Sequence, residues 1–170
     1  MLTNYDSLSS KSGSNAWYEL QASPSEKMLK NMHKEKNLWG EISDKAKFTY
    51  DDGFFFAEAT TFMMTTEDKN VSLRYLLAIL NSKLSEWYFH KIATTTGMGT
   101  NRWKKYKLEQ LPVVKPTKEQ ELQIVDLVNQ LFEKKGVNQS ADTSSLEHEI
   151  DQQVYALYNL TPEEIAIIEQ

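Results

Sequence analysis

Cysteine is absent from this 170-residue chain, which excludes disulfides and thiolate metal sites. The absence suits a reducing compartment, and a cytoplasmic location is expected. No run of about 18 apolar residues occurs, so neither a membrane-spanning helix nor a membrane partner is expected. The opening stretch, MLTNYDSLSSKSGSN, has no apolar signal core. It is polar and serine-rich, and residues 1–14 are expected to be a disordered lead-in.

The chemistry of common enzymes is missing as well. The 3 histidines, His33, His90 and His148, fall in different segments, and no HxxxH or HExxH spacing brings two onto one helix face, so no metal site is expected. Neither GxxxxGK(S/T) nor GxGxxG is present, and GMG at 97–99 is only a fragment of such a pattern. No GxSxG elbow occurs. A metal-dependent nuclease needs clustered carboxylates with a lysine nearby. Asp52 and Glu58 are close in sequence, but Glu58-Ala59-Thr60 lacks that lysine. An adenine or cytosine methyltransferase would need a cofactor loop and an Asn-Pro-Pro-aromatic tetrapeptide, and neither is found. The chain is expected to be a binding module without catalytic residues.

What is present is an uneven distribution of charge beneath a net charge of -5. Residues 71–116 carry 8 basic side chains (Arg74, Lys83, Lys91, Arg102, Lys104, Lys105, Lys107, Lys115) against 2 acidic ones (Glu86, Glu109). Residues 1–70 carry 8 basic and 11 acidic side chains, and residues 117–170 carry 3 and 11. A basic segment between two acidic ones points to a polyanion contact on one face.

Local patterns set the expected elements. Trp17–Leu20 (WYEL) reads as a short strand, and Ser23 or Ser25 as a cap for the polar segment that follows. Phe48 and Tyr50 alternate with Lys47 and Thr49, and Asp51-Asp52-Gly53 reads as a hairpin turn, since Asp-Gly accepts positive φ cheaply. Phe54 to Met64 continues as one or two aromatic- and threonine-rich strands, with Glu58 on the solvent side. Residues 38–64 are therefore expected to form a hairpin or small sheet. Glu67 to Asn70 reads as a turn before a buried helix, Val71–Leu80. Asn81 suits a left-handed C-cap and Ser82 the next N-cap, giving a sharp corner into a second helix, Ser82–Ile92, with Leu84, Trp87 and Tyr88 on one side. Pro112 and Pro116 mark a boundary. Thr117-Lys-Glu-Gln120 is a capping box, followed by a stripe of Leu122, Val125, Val128, Leu131 and Phe132, with Gly136 as its end. Ser144 opens a helix striped by Leu146, Ile150, Val154 and Leu157, and Thr161-Pro-Glu-Glu164 opens a last one. The expected fold is α+β: a small mixed or antiparallel sheet with packed helices over 15–116, and an acidic helical annex over 117–170 packed on it.

The basic-aromatic burst Asn101-Arg-Trp-Lys-Lys-Tyr-Lys107 carries the functional signal. Arg102 and Asn101 have side chains that pair bidentately with guanine and adenine edges. Lys104, Lys105 and Lys107 suit phosphates, whose neutralisation supplies most sequence-independent affinity. Thr94 to Thr96, Gly97, Gly99 and Thr100 provide small side chains and a permissive backbone for close approach to a groove. The alternative is a solvated loop with ordinary surface lysines. Trp103 and Tyr106 read as core anchors for the base of the loop.

Several of these segments, taken in order, resemble a known family. WYEL, LWGEIS, KFTYDDGFFF, LLAILNSKLSEWYF, the glycine-bearing loop, Arg102 and LEQLPV resemble the TaqI-like C-terminal specificity domain. That is the target-recognition domain of type IIG restriction-modification enzymes and their adenine-methyltransferase relatives. The tail EIDQQVYALYNLTPEEIAIIE resembles the helical end of these proteins. The resemblance implies a DNA sequence-recognition role with double-stranded DNA as partner. It also implies an upstream methyltransferase domain in the same polypeptide, of which this chain would be the C-terminal piece. Cofactors are expected in those upstream domains, S-adenosylmethionine and magnesium, and none in this one. Two other readings stay open: a fragment of a type I specificity subunit, and a protein–protein adaptor working through the acidic annex.

Overall fold

Strand-forming residues cluster around Trp39, and the sheet is built outward from them. The computed structural model describes residues 25–57, 60–94 and 99–170. Strand β1 (Lys36–Gly40) is the centre of a three-stranded antiparallel sheet, flanked by β3 (Phe48–Asp51) and β4 (Thr61–Met64). Trp39 pairs with Phe48 on one side and Phe62 on the other, and its ring contacts both. A second, two-stranded ladder joins β2 (Ile42–Ser43) to β5 (Asn101–Arg102). Seven helices complete the described residues: α1 (Glu26–Met32), α2 (Leu73–Asn81), α3 (Lys83–Ile92), α4 (Lys105–Leu108), α5 (Lys118–Val137), α6 (Ser144–Leu157) and α7 (Pro162–Ile168). The fold is α+β, as its residue patterns indicate.

One apolar core runs through the molecule. Trp39 and Phe48 from the sheet, Leu77 and Ile79 from α2, Phe89 from α3, Ile124 from α5 and Val154 from α6 belong to the same buried cluster. Helix α2 contacts β1 and β3 and also α3 and α5, which is why it is apolar nearly all round. Helices α5 and α6 of the acidic C-terminal segment thus pack into the core that supports the sheet, whereas α7 buries no residue.

Several expectations are corrected. Asp51-Asp52-Gly53 does not close a hairpin, because β3 and β4 both pair with β1 and not with each other. They are parallel to one another, so the chain between them must cross from one end of the sheet to the other. The physical cause of the break is Asp51. Its carboxylate accepts the N–H groups of Gly53, Phe54 and Phe55, turning the backbone away from the ladder. Gly53 is still required: its φ is +105, and a Cβ there would lie 2.5 Å from the His33 carbonyl oxygen. Phe54–Phe56 form no strand and stay exposed. The strand expected at Trp17–Leu20, the lead-in at 1–14, Ser23 and the solvent-side Glu58 lie outside the described residues; Ser25 caps α1.

The corner between α2 and α3 is real but is built differently. Helix α2 starts at Leu73, because the Ser72 hydroxyl accepts the Tyr75 N–H. Asn81 is the last helical residue and is not left-handed; Asn159 is the non-glycine residue with positive φ among those described. Ser82 ends α2 and caps α3 at once: its hydroxyl donates to the Ile79 carbonyl at 2.7 Å and accepts the Ser85 N–H at 3.2 Å. The Asn81 amide is spent on the edge of β3 instead, accepting the Phe48 N–H and donating to the Phe48 carbonyl, both at 2.9 Å. Glu86 accepts the Ala46 N–H just before that strand. Side chains from the corner therefore occupy an edge that would otherwise invite strand pairing.

Helical stripes shift where packing differs from the periodicity of the sequence. Helix α5 buries Ile124, Leu127 and Val128, whereas Leu122 is exposed. Val125, Leu131 and Phe132 are only partly buried, because the helix is clamped between α2 and α6 and turns a different face inward. Gly136 lies inside α5, which ends at Val137. Both capping boxes, Thr117 with Gln120 and Thr161 with Glu164, form as read. The α6 stripe is buried in full.

Candidate nucleic-acid interface

The basic burst is mounted on an aromatic pedestal. Trp103, 1% exposed, lies parallel to the Phe89 ring at 3.8 Å between centroids and meets Phe48 edge-on at 5.6 Å. Its indole N–H donates to the Ser43 carbonyl at 3.2 Å, and its own carbonyl accepts the Trp39 indole N–H at 2.8 Å. Its backbone N–H donates to the Glu41 carbonyl at 2.7 Å. Every polar atom of Trp103 is thus tied to β1, β2 or the connection between them. Phe89, the face on which it rests, is buried on α3 together with Ser85, whereas Leu84, Trp87 and Tyr88 are only half-buried.

From that anchor the chain emerges on both sides. Toward the N-terminus, Arg102 sits in the β2–β5 ladder opposite Ile42, and its N–H donates to the Thr94 carbonyl at 3.3 Å. That bond brings together the two ends of the 94–102 loop. Gly99 has φ +76, with nothing within 4 Å of where a Cβ would lie, so backbone conformation alone calls for glycine there. Thr96 and Gly97 lie outside the described residues. Toward the C-terminus, α4 buries Leu108 against the core and turns Lys105 outward.

The cationic side chains divide by surroundings. Arg102 is exposed and paired with Glu41 at 2.7 Å, and Lys104 reaches the same carboxylate oxygen at 3.7 Å. Lys105 is exposed, 3.6 Å from Glu109. The Lys107 ammonium lies 6.0 Å from the centre of the Tyr106 ring. Tyr106 itself is 56% exposed, so it does not anchor the loop; α4 points it to solvent while Leu108 takes the inward position. Asn101 is 4% exposed. It pairs with Ser43 in the ladder, so it is not presented to solvent as Arg102 is.

Two other cations of the basic segment are spent on the acidic helices. Arg74 lies 4.9 Å from the centre of the Tyr50 ring and hydrogen-bonds Asn129 of α5. The Lys83 N–H is held by Asp151 at 2.9 Å, and its ammonium lies 3.3 Å from Glu169. Burial raises the Asp151 carboxyl above its ordinary value, although the Lys83 N–H and charge oppose the shift. Of the six other cations of the segment, four fall within Arg102–Lys107, and Lys91 and Lys115 lie exposed outside it.

Sequence reasoning missed Glu41. It sits in the connection between β1 and β2, and its N–H donates to the Thr60 carbonyl at 3.3 Å. Nothing in WGEIS marks it as the partner of an arginine 61 residues away. The described residues contain no group of three or more His, Cys, Asp or Glu placed to hold a metal ion. They also contain no helix long and apolar enough to cross a membrane.

A family model described as the TaqI-like C-terminal specificity domain matches residues 2–113. The matched span includes the sheet, the α2–α3 corner and the whole basic burst, and stops before α5. No curated protein matches the chain.

Proposed function

Because the chain belongs to the TaqI-like C-terminal specificity domain family, whose role is DNA recognition in restriction-modification enzymes, we propose that it reads duplex DNA through the segment Arg102–Lys107. In this reading Arg102 addresses a base edge, since its fork matches the two acceptors of guanine. Lys104, Lys105 and Lys107 grip phosphates, since a flexible point charge positions without specifying. Gly99, Thr100, Thr96 and Gly97 would let the backbone come close to the groove. Asn101 would act from within the ladder, holding Arg102 in register. The observation that carries the reading is the mounting: the exposed cations flank a tryptophan fixed by three hydrogen bonds and a ring stack.

The parent protein in this proposal is a type IIG restriction-modification enzyme acting in the cytoplasm. A preceding adenine-methyltransferase domain is brought to its site by this module. S-adenosylmethionine, and magnesium where cleavage occurs, would serve those preceding domains. A specificity domain is not itself catalytic.

The test is a binding titration of the chain against labelled duplexes. A site is first selected from a randomised pool, then compared with a shuffled duplex at several salt concentrations. Affinity for both is expected to fall as salt rises. Arg102→Ala should weaken the selected site by about 1–3 kcal/mol and spare the shuffled one. Lys105→Ala should weaken both alike and make the salt slope shallower by about 0.9. Loss of neither affinity nor specificity in these variants would move the recognition surface elsewhere.

A further inference from the structure

We propose that Glu41 is a positioning residue for sequence discrimination, an anion built into the cationic face that holds Arg102 in its reading pose and screens it from non-cognate phosphate. The proposal rests on the DNA-reading role of Arg102 given above.

Three features carry it. First, the backbone of Glu41 is fixed from two sides, with its N–H on the Thr60 carbonyl at 3.3 Å and its carbonyl on the Trp103 N–H at 2.7 Å. Its carboxylate therefore projects from a rigid point next to the anchor of the basic burst. Second, one carboxylate oxygen meets both Arg102 at 2.7 Å and Lys104 at 3.7 Å. Third, Glu41 is the side-chain partner of Arg102 among the described residues, and it engages the guanidinium through Nη1. The planar fork has five donors, so a face of it remains for a base edge while the opposite end is held.

On a surface meant for a polyanion, a carboxylate is a liability for raw affinity. It lowers the local positive potential and repels phosphate. A bidentate contact, in contrast, gains from a guanidinium whose orientation is already restricted, since less freedom is lost when the base is met. Glu41 therefore trades affinity for all sequences against discrimination for one. The trade has a clear sign: a variant without the charge binds wrong sequences better.

The experiment uses the full chain, the selected duplex and the shuffled duplex, with two variants that separate charge from reach. Glu41→Gln removes one negative charge and frees Arg102 to neutralise one further phosphate. Shuffled duplex should bind about 10-fold tighter, with a salt slope steeper by about 0.9, and the selected-to-shuffled ratio should fall by about 10-fold. Glu41→Asp keeps the charge but withdraws the carboxylate by roughly 1.5 Å, one carbon–carbon bond. It should leave shuffled binding and the salt slope at wild-type values while the ratio still falls. Both variants should melt as the wild type does, because partly exposed ion pairs add little to stability.

Equal weakening on both duplexes with a lowered melting temperature assigns Glu41 a structural role and overturns the proposal. An unchanged ratio in both variants overturns it too, and leaves the DNA-reading role of Arg102 standing. If the wild-type chain itself does not distinguish the duplexes, the functional reading fails and this inference with it.

Discussion

Truncating Trp103 tests whether the pedestal holds the basic burst in place. The indole is 1% exposed, rests on Phe89 and Phe48, and donates to the Ser43 carbonyl. Replacing a buried tryptophan by alanine costs about 3–5 kcal/mol through lost transfer energy and the cavity left behind. The Ser43 carbonyl loses its donor, which adds about 1 kcal/mol. No separate aromatic term is added, because rings 3.8 Å apart and nearly parallel overlap face to face, the less favoured stacking geometry. The bond from the Trp39 indole survives, since it ends on the Trp103 backbone. The sum, about 4–6 kcal/mol, is a large part of the roughly 5–15 kcal/mol that holds a domain together. With a urea slope of about 2 kcal/mol per molar, the unfolding midpoint of Trp103→Ala should fall by about 2–3 M. Trp103→Phe keeps a ring on Phe89 and should lose about 1 M. Far-ultraviolet circular dichroism is the suitable readout, because the substitution itself alters tryptophan fluorescence. A midpoint shift below about 0.5 M for Trp103→Ala, at unchanged slope, would refute the pedestal.

Two further outcomes follow from the fold. Asn81→Ala removes both hydrogen bonds to the Phe48 backbone and should cost about 1–2 kcal/mol. Its particular signature is faster hydrogen exchange at the Phe48 amide; undiminished protection there would show that the edge of β3 is closed by something else. Asp51 tests the buried ion pair with Lys36, two side chains 3% and 0% exposed. Burial alone would raise the Asp51 carboxyl, but the hydrogen bond from Lys36 and those from Phe55 and Gly53 outweigh it and hold the group below its ordinary 3.8. Its folded value is depressed, so its contribution is complete above that pH and is lost as pH falls below it. Asp51→Asn should therefore be less stable at pH 7, since Lys36 is left buried without its counter-charge, and should lose less than the wild type on acidification below about pH 4. Parallel melting curves for both proteins across that range would count against the pairing.

The sequence by itself determined whatever depends on neighbours a few residues away. The capping boxes at Thr117 and Thr161, the Ser82 N-cap, the buried α6 stripe and the α+β class are all local signals, set by hydrogen bonds and periodicities within one or two turns. The concentration of positive charge at Arg102–Lys107 was legible for the same reason, and the ordered motifs pointed to the specificity-domain family that matches residues 2–113. The tertiary structure alone decided what those elements meet. Asp51-Gly53 has the chemistry of a hairpin turn, but hydrogen bonding between strands is a choice of partner, and β1 took both neighbours. Asn81 has the chemistry of a helix cap, but a strand edge lay within reach of its amide. Trp103 and Tyr106 are equally aromatic, and only packing on Phe89 makes one a pillar and leaves the other in water. Glu41 is an ordinary surface carboxylate until folding brings Arg102 to it across 61 residues. Charge and local propensity are written in composition and spacing, whereas long-range pairing is settled by which surfaces the one continuous core brings together.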